Sequence, residues 1–174
     1  MNWTELLRVE IEYTYKVTEG LIDLVDPDSL DWKPSPENNW MTMGQLLMHI
    51  TSGCGAGMRG FVTGGWDIPE DIDFSELSLE EMQPEAENMP AVESVVETKE
   101  LLAKDKQMAL DMLAKCDEHE LDNKKLRAPW DPTEMILGSR LLQMVAHLSQ
   151  HKSQLFYYLK LQGKPVNTGH LWGM

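Results

Sequence analysis

Apolar side chains recur at the period of an α-helix in four separate segments of this 174-residue chain. The segments are about 3 to 25, Thr42 to about Thr63, 91 to 119, and about Thr133 to Gln162. No segment shows the two-residue alternation of a strand, and no internal repeat is present. The sequence therefore predicts an all-α protein: a four-helix bundle in which residues 1–174 form a single domain.

The second predicted helix is rich in glycine. Thr42 is positioned to cap its N-terminus, and the glycines lower its helix propensity while permitting close contact with a neighbouring helix. These glycines are Gly53, Gly55, Gly57 and Gly60.

The connection between the second and third helices is unusually long. Residues 64–90 are acidic, include three prolines, and are predicted to hold one short helical turn near Leu79 to Met82. Antiparallel neighbours need far fewer connecting residues, but this segment is long enough to run the length of a bundle and return the chain in parallel. We therefore predict an up-down-down-up order with a long crossover between helices two and three.

Charge and cysteine content restrict the function classes. A formal net charge of −14 at pH 7 would repel nucleic-acid phosphates and anionic lipid surfaces. No segment approaches the ~20 apolar residues of a membrane-spanning helix. The chain has two cysteines, Cys54 and Cys116, and charged residues near the N-terminus where a secretory signal would be apolar. These features predict a cytoplasmic protein that binds neither nucleic acid nor membrane.

Three histidines are the candidate metal ligands. His147 and His151 are four residues apart on the fourth helix, so both project from one helix face. His49 on the second helix lies at the border of its core face, beside small residues that leave room for a ligand. A lone histidine at the border of a helix face is more often an ordinary polar side chain, so the predicted metal site depends mainly on the His147 and His151 pair. Three imidazoles would leave coordination positions open, as catalytic metal sites do.

Three other side chains near these histidines have alternative interpretations. Gln45 and Gln154 lie close enough in sequence to His49 and His151 to orient an imidazole, or they are ordinary surface or packing glutamines. Cys54 is about 140° around the helix from His49. We interpret it as a small core residue and not as a nucleophile.

The run HLSQHKSQLFYYLKLQGKPV (His147 to Val166), together with His49 in MTMGQLLMHIT, resembles the DinB/YfiT-like superfamily. The resemblance extends over the whole chain in the order and length of its elements. It implies a four-helix bundle with the long crossover, and three histidines that bind a divalent metal such as Ni or Zn. The family name refers to induction by DNA damage and does not imply DNA binding.

The resemblance leaves the reaction open. The family includes thiol transferases that use bacillithiol, mycothiol-dependent isomerases and many proteins of unknown activity. Our leading hypothesis is a metal-dependent enzyme that transfers a low-molecular-weight thiol or hydrolyses a small substrate. The alternative is a non-catalytic interaction module with a vestigial metal site, for which the acidic 64–90 segment would be the partner surface. A homodimer is possible, because helical bundles commonly form one.

The acidic composition leads to the first prediction. At physiological salt the protein should show no appreciable affinity for a fluorescently labelled DNA duplex, because few clustered cations are available to replace counterions. Fluorescence anisotropy measures this directly. Micromolar binding that weakens steeply with added salt would instead reveal a basic face.

Overall fold

The computed structural model describes residues 2–66 and 85–174, most of which are helical, as the sequence predicts. Two short strands form an antiparallel hairpin, and no helix within the described ranges is long and apolar enough to cross a membrane. The helices are α1 (Trp3–Ile22), α2 (Met43–Ile50), α3 (Gly55–Thr63), α4 (Val95–Ala114), α5 (Glu118–Asn123), α6 (Leu137–Leu161) and α7 (Thr168–Trp172), and the strands are β1 (Lys125–Ala128) and β2 (Asp131–Ile136). Single 3₁₀ turns cover Pro27–Ser29 and Ala86–Asn88.

The long helices enclose one apolar core. α1 packs against α4 and α6, while α2 and α3 pack against α6, and α3 also packs against α4. The predicted apolar stripe of the fourth helix faces this core, where its leucines are fully buried. They are Leu137, Leu141, Leu148, Leu155 and Leu159.

The chain from His49 to Phe61 runs antiparallel to α6, and we call this contact the α2–α3/α6 interface. Contacts recur every four residues between His49 and Phe61 and every three or four residues along α6. Successive contacts are therefore about one helical turn apart on both sides. Side chains therefore meet in successive pairs along the interface. The pairs are His49 with His151, Gly53 with His147, Gly57 with Met144, and Phe61 with Arg140.

The second predicted helix is interrupted, which corrects the expectation of a continuous helix from Thr42 to about Thr63. Thr42 does cap its start, in a capping box with Gln45, but α2 ends at Ile50 and α3 begins only at Gly55. The first two N–H groups of α3 donate to the Asp105 carboxylate of α4 instead of to carbonyls of the preceding turn. At this break between α2 and α3, two hydrogen bonds to Asp105 thus replace the local hydrogen bonds of a continuous helix.

The hairpin was not predicted. Sequence analysis gives a connection up to Pro132 and a helix from Thr133, whereas β2 covers this region and α6 begins at Leu137. The reason lies in Arg140, whose side chain is fully buried and donates to the Thr133 carbonyl and the Asp131 carboxylate. A buried guanidinium requires such partners, and they hold β2 in an extended conformation.

Other helix ends differ from the predicted ones by a few residues. α1 ends at Ile22, and the third predicted helix is divided into α4 and α5. Ser94 caps α4, and Asp117 begins α5 through a capping box, so each start has a local cause. The predicted turn near Leu79 to Met82 lies outside the described residues.

The packing of α3 against α4 leads to the second prediction. A Cβ added at Gly55 would lie 2.1 Å from the backbone oxygen of Asp105, so Gly55→Ala must displace backbone and should destabilise the protein by about 1–3 kcal/mol. The same substitution at exposed Gly20 of α1 meets no atom within 4 Å and should stabilise by about 0.5 kcal/mol through helix propensity.

Urea denaturation of the two variants and the wild type measures both effects. The chemistry of the substitution is identical, so the opposite signs isolate the steric contribution at Gly55. If Gly55→Ala unfolded with the same free energy as the wild type, the prediction would be wrong, because α3 and α4 would then move apart without loss of stability.

Candidate metal centre

The three predicted histidines meet at the His49 end of the α2–α3/α6 interface. His49 lies in the last turn of α2, and His147 and His151 lie one turn apart near the middle of α6. The capping box at Thr42 sets where α2 begins, and therefore which way His49 points. The apolar stripe of α6 sets the direction of the other two.

The ring nitrogens converge on a common point. Nε2 of His151 lies 3.0 Å from Nε2 of His49 and 3.0 Å from Nε2 of His147, and one nitrogen from each ring lies within 4.8 Å of the others. The ring planes are nearly perpendicular in every pair, at 87–89°. Each ring therefore presents an edge to the same point.

The backbone of the α2–α3 break orients His147. Nδ1 of His147 lies 2.9 Å from the carbonyl oxygen of Gly53. A carbonyl only accepts hydrogen bonds, so Nδ1 carries the proton and Nε2 of the neutral ring keeps its lone pair. A Cβ at Gly53 would lie 3.1 Å from Nδ1, and glycine thus permits this close approach.

A chain of side chains orients His151. Tyr158 donates its hydroxyl proton to the Met41 carbonyl at 3.0 Å, and the same hydroxyl oxygen lies 3.5 Å from the side-chain amide nitrogen of Gln154. This arrangement turns the amide oxygen of Gln154 towards Nδ1 of His151, at 3.0 Å. Nδ1 then donates, and Nε2 again keeps its lone pair. Of the two glutamines considered from sequence, Gln154 contacts a histidine.

Gln45 has a different role. Its side chain accepts from the Thr42 backbone N–H at 2.8 Å and donates to the Met89 carbonyl at 2.9 Å. It completes the capping box of α2 and ties that helix to the segment before α4.

Cys54 is fully buried, and burial raises the pKa of its thiol to about 12. A thiol that remains protonated fits the predicted role of a small core residue.

Burial favours the neutral form of two of the histidines, His49 and His151. Burial, followed by the proximity of His151 and His147, lowers the pKa of His49 to about 4. Burial likewise lowers the pKa of His151, although the hydrogen bond that its Nδ1 donates to Gln154 opposes this. Both shifts favour the neutral form of the ring.

The donor set fits a divalent metal. Lone pairs 3.0 Å apart repel one another unless a cation lies between them. Two nitrogens bound to the same ion at about 2.0–2.1 Å lie roughly 2.8–3.4 Å apart for angles of about 90–109° at the metal, and the 3.0 Å separations fall in this range. The second nitrogens of His147 and His151 have the hydrogen-bond partners that metal-binding histidines usually have. All three rings are half-buried, so one side of the cluster faces outwards.

The low pKa of His49 leads to the third prediction. Between pH 4 and 6.5 the unfolded chain binds a proton at this residue that the folded protein excludes. The stability of the metal-free protein should therefore fall as the pH is lowered through this window. An NMR titration of the His49 ring should give a midpoint near 4.

His49→Gln removes this contribution and should flatten the stability profile between pH 4 and 6.5. His119→Gln is the matched control, because His119 is exposed on α5. A His49 midpoint near 6.5 would show that the ring is solvated and that the cluster does not form in solution.

Comparisons with known proteins identify the fold and the family of the chain. The chain is similar to a crystal structure of a candidate DinB-family member from Exiguobacterium sibiricum 255-15, with a TM-score of 0.63, 20% identity and coverage of 96% of each chain. At that identity the similarity concerns the fold alone. No curated protein matches the chain. The sequence pattern of the DinB superfamily matches residues 10–155, which is most of the chain and includes all three histidines. The protein belongs to the DinB superfamily.

Proposed function

We propose that this protein is a metal-dependent enzyme in which His49, His147 and His151 hold one divalent ion, with nickel or zinc as the leading candidates. The convergence of three Nε2 atoms carries the proposal, since the two measured separations of 3.0 Å match ligands that share one ion. In this proposal the chain is a single domain, with its four long helical segments in up-down-down-up order and residues 64–90 as the crossover.

Neutral ligands would leave the charge of the ion uncompensated. A divalent ion in such a site lowers the pKa of a water or thiol that it binds, which supplies a nucleophile near neutral pH. The protein's own contribution is to fix both α6 imidazoles in the tautomer with a free Nε2. The Gly53 carbonyl does this for His147, and the Gln154 amide does it for His151.

The proposed substrates are small molecules, and the proposed reactions are transfer of a low-molecular-weight thiol to an electrophile and hydrolysis. Both need room beside the ligands for a reactant. The half-buried state of the three rings supports this, because a site sealed by neighbouring side chains would favour a non-catalytic module. Two free cysteines support a reducing compartment, and we propose a cytoplasmic location.

The fourth prediction concerns metal content. Purified wild-type protein should contain one divalent ion per chain, and His151→Ala should lose it, because two imidazoles make a weak site. The fold should survive in the variant, since the apolar core is formed by other residues and does not depend on the ion. Elemental analysis with circular dichroism measures both properties.

His119→Ala is the matched control for loss of an imidazole without loss of a ligand, and it should retain full metal content. Equal metal content in the wild type and His151→Ala would refute the assignment of the three histidines.

The fifth prediction concerns activity. The metal-loaded protein should turn over a chromogenic electrophile in the presence of a low-molecular-weight thiol, or hydrolyse a small ester or amide without one. The rate should fall by at least about tenfold in His49→Ala, because the ion is lost or misplaced. A panel of thiols and substrates, assayed with metal-loaded, chelated and variant protein, separates the two reactions.

Thiol-dependent turnover supports transfer, and thiol-independent turnover supports hydrolysis. Absence of turnover across a broad panel with fully loaded protein would contradict the enzymatic assignment and favour the interaction module.

A further inference from the structure

Asp105 holds the α3 end of the break between α2 and α3. This residue lies on α4, contributes no ligand atom, and is only 4% exposed. Its Oδ2 accepts from the Gly55 N–H and its Oδ1 accepts from the Ala56 N–H, both at 3.0 Å. The Tyr15 hydroxyl of α1 donates to Oδ2 at 2.6 Å. Burial raises the pKa of Asp105, and the hydrogen bonds from these donors oppose that rise.

Asp105 replaces the missing cap of α3. The first N–H groups of a helix have no partner within the helix, and the residue before α3, Cys54, provides no side-chain hydrogen bond to them. A carboxylate is also favourable at the positive end of a helix dipole. Gly55 permits the contact, because a Cβ there would lie 2.7 Å from Oδ1 of Asp105.

The other side of the same break contacts the histidine cluster. The Gly53 carbonyl accepts from Nδ1 of His147 at 2.9 Å. Gly53 C=O and Gly55 N–H belong to consecutive peptide units, which share only the α-carbon of Cys54. Because Cys54 is fully buried, this residue has little freedom to rotate. The direction of the Gly53 carbonyl therefore depends on where Asp105 holds the Gly55 N–H.

We infer that Asp105 is a positioning residue of the metal centre: by fixing the start of α3 it sets the Gly53 carbonyl, and through that carbonyl the orientation of the His147 ring. This inference rests on the proposed metal function. It assigns a role in metal binding to α4, a helix that carries none of the three histidines. Tyr15 of α1 donates a hydrogen bond to Asp105 and thereby helps to hold it in place.

Asp105→Asn tests the inference with a side chain of nearly the same size. The amide nitrogen cannot accept a hydrogen bond, so at least one of the three donors loses its partner. Co²⁺ is the probe, because its absorption spectrum reports coordination geometry. We expect Asp105→Asn to bind Co²⁺ about 10–100-fold more weakly than the wild type and with an altered spectrum. Tyr15→Phe, which removes one hydrogen bond, should shift both readouts less and in the same direction.

Met112→Ala is the control for destabilisation alone. Met112 is buried in the core about two turns further along α4 and loses only packing. It should lower the denaturation midpoint while leaving the Co²⁺ affinity and spectrum unchanged. If Asp105→Asn is destabilised but binds Co²⁺ as the wild type does, with the same spectrum, Asp105 is only a helix cap and the inference is wrong. If Asp105→Asn does not fold, Tyr15→Phe decides by the same two readouts.

A second readout separates this inference from the proposed function. The Nδ1–H proton of His147 is observable by NMR in metal-free protein as a hydrogen-bonded signal. Asp105→Asn should shift or broaden this signal, and Met112→Ala should not. If the wild type fails to bind Co²⁺, the proposed function fails, yet an Asp105-dependent His147 signal would still support the positioning. An unchanged signal in Asp105→Asn would overturn it.

Discussion

Close packing across the α2–α3/α6 interface is the constraint on which the candidate site depends. Two backbones approach closely enough for the Gly53 carbonyl to accept from His147 and for His49 and His151 to meet edge on. Of the glycines that make this possible, Gly57 lies within α3 and costs about 0.5–1 kcal/mol relative to alanine in a helix. The fold tolerates that cost because larger residues at Gly53 or Gly57 would meet the side chains of His147 or Met144.

Two buried polar residues, Arg140 and Asp105, fix the starts of α6 and α3, the two helices that meet beside the site. Arg140 holds β2 and thereby defines where α6 begins, and Asp105 defines where α3 begins. Arg140 donates to the Thr133 carbonyl and the Asp131 carboxylate, and Asp105 accepts from the first two N–H groups of α3, which offsets part of the cost of burial. The positions of the imidazoles therefore depend on polar contacts as well as on the apolar core.

Sequence periodicity was sufficient for the helical class and for the apolar stripe of α6, because those properties depend on local spacing. It failed at the α2–α3 break and at the hairpin. In both places a side chain from another part of the chain, Asp105 or Arg140, binds the backbone groups that a continuous helix would have used. Residues that only the fold brings together give no local signal.

The sequence by itself determined which residues are the candidate ligands. The four-residue spacing of His147 and His151 places both on one helix face whatever the tertiary structure, and His49 lies at the border of the core face of the second predicted helix. Only the tertiary structure decided that the three Nε2 atoms meet, and that Gly53 and Gln154 fix the tautomers of the α6 histidines. The physical reason is that helix spacing sets the direction of a side chain, whereas the distance between helices is set by packing across the whole core.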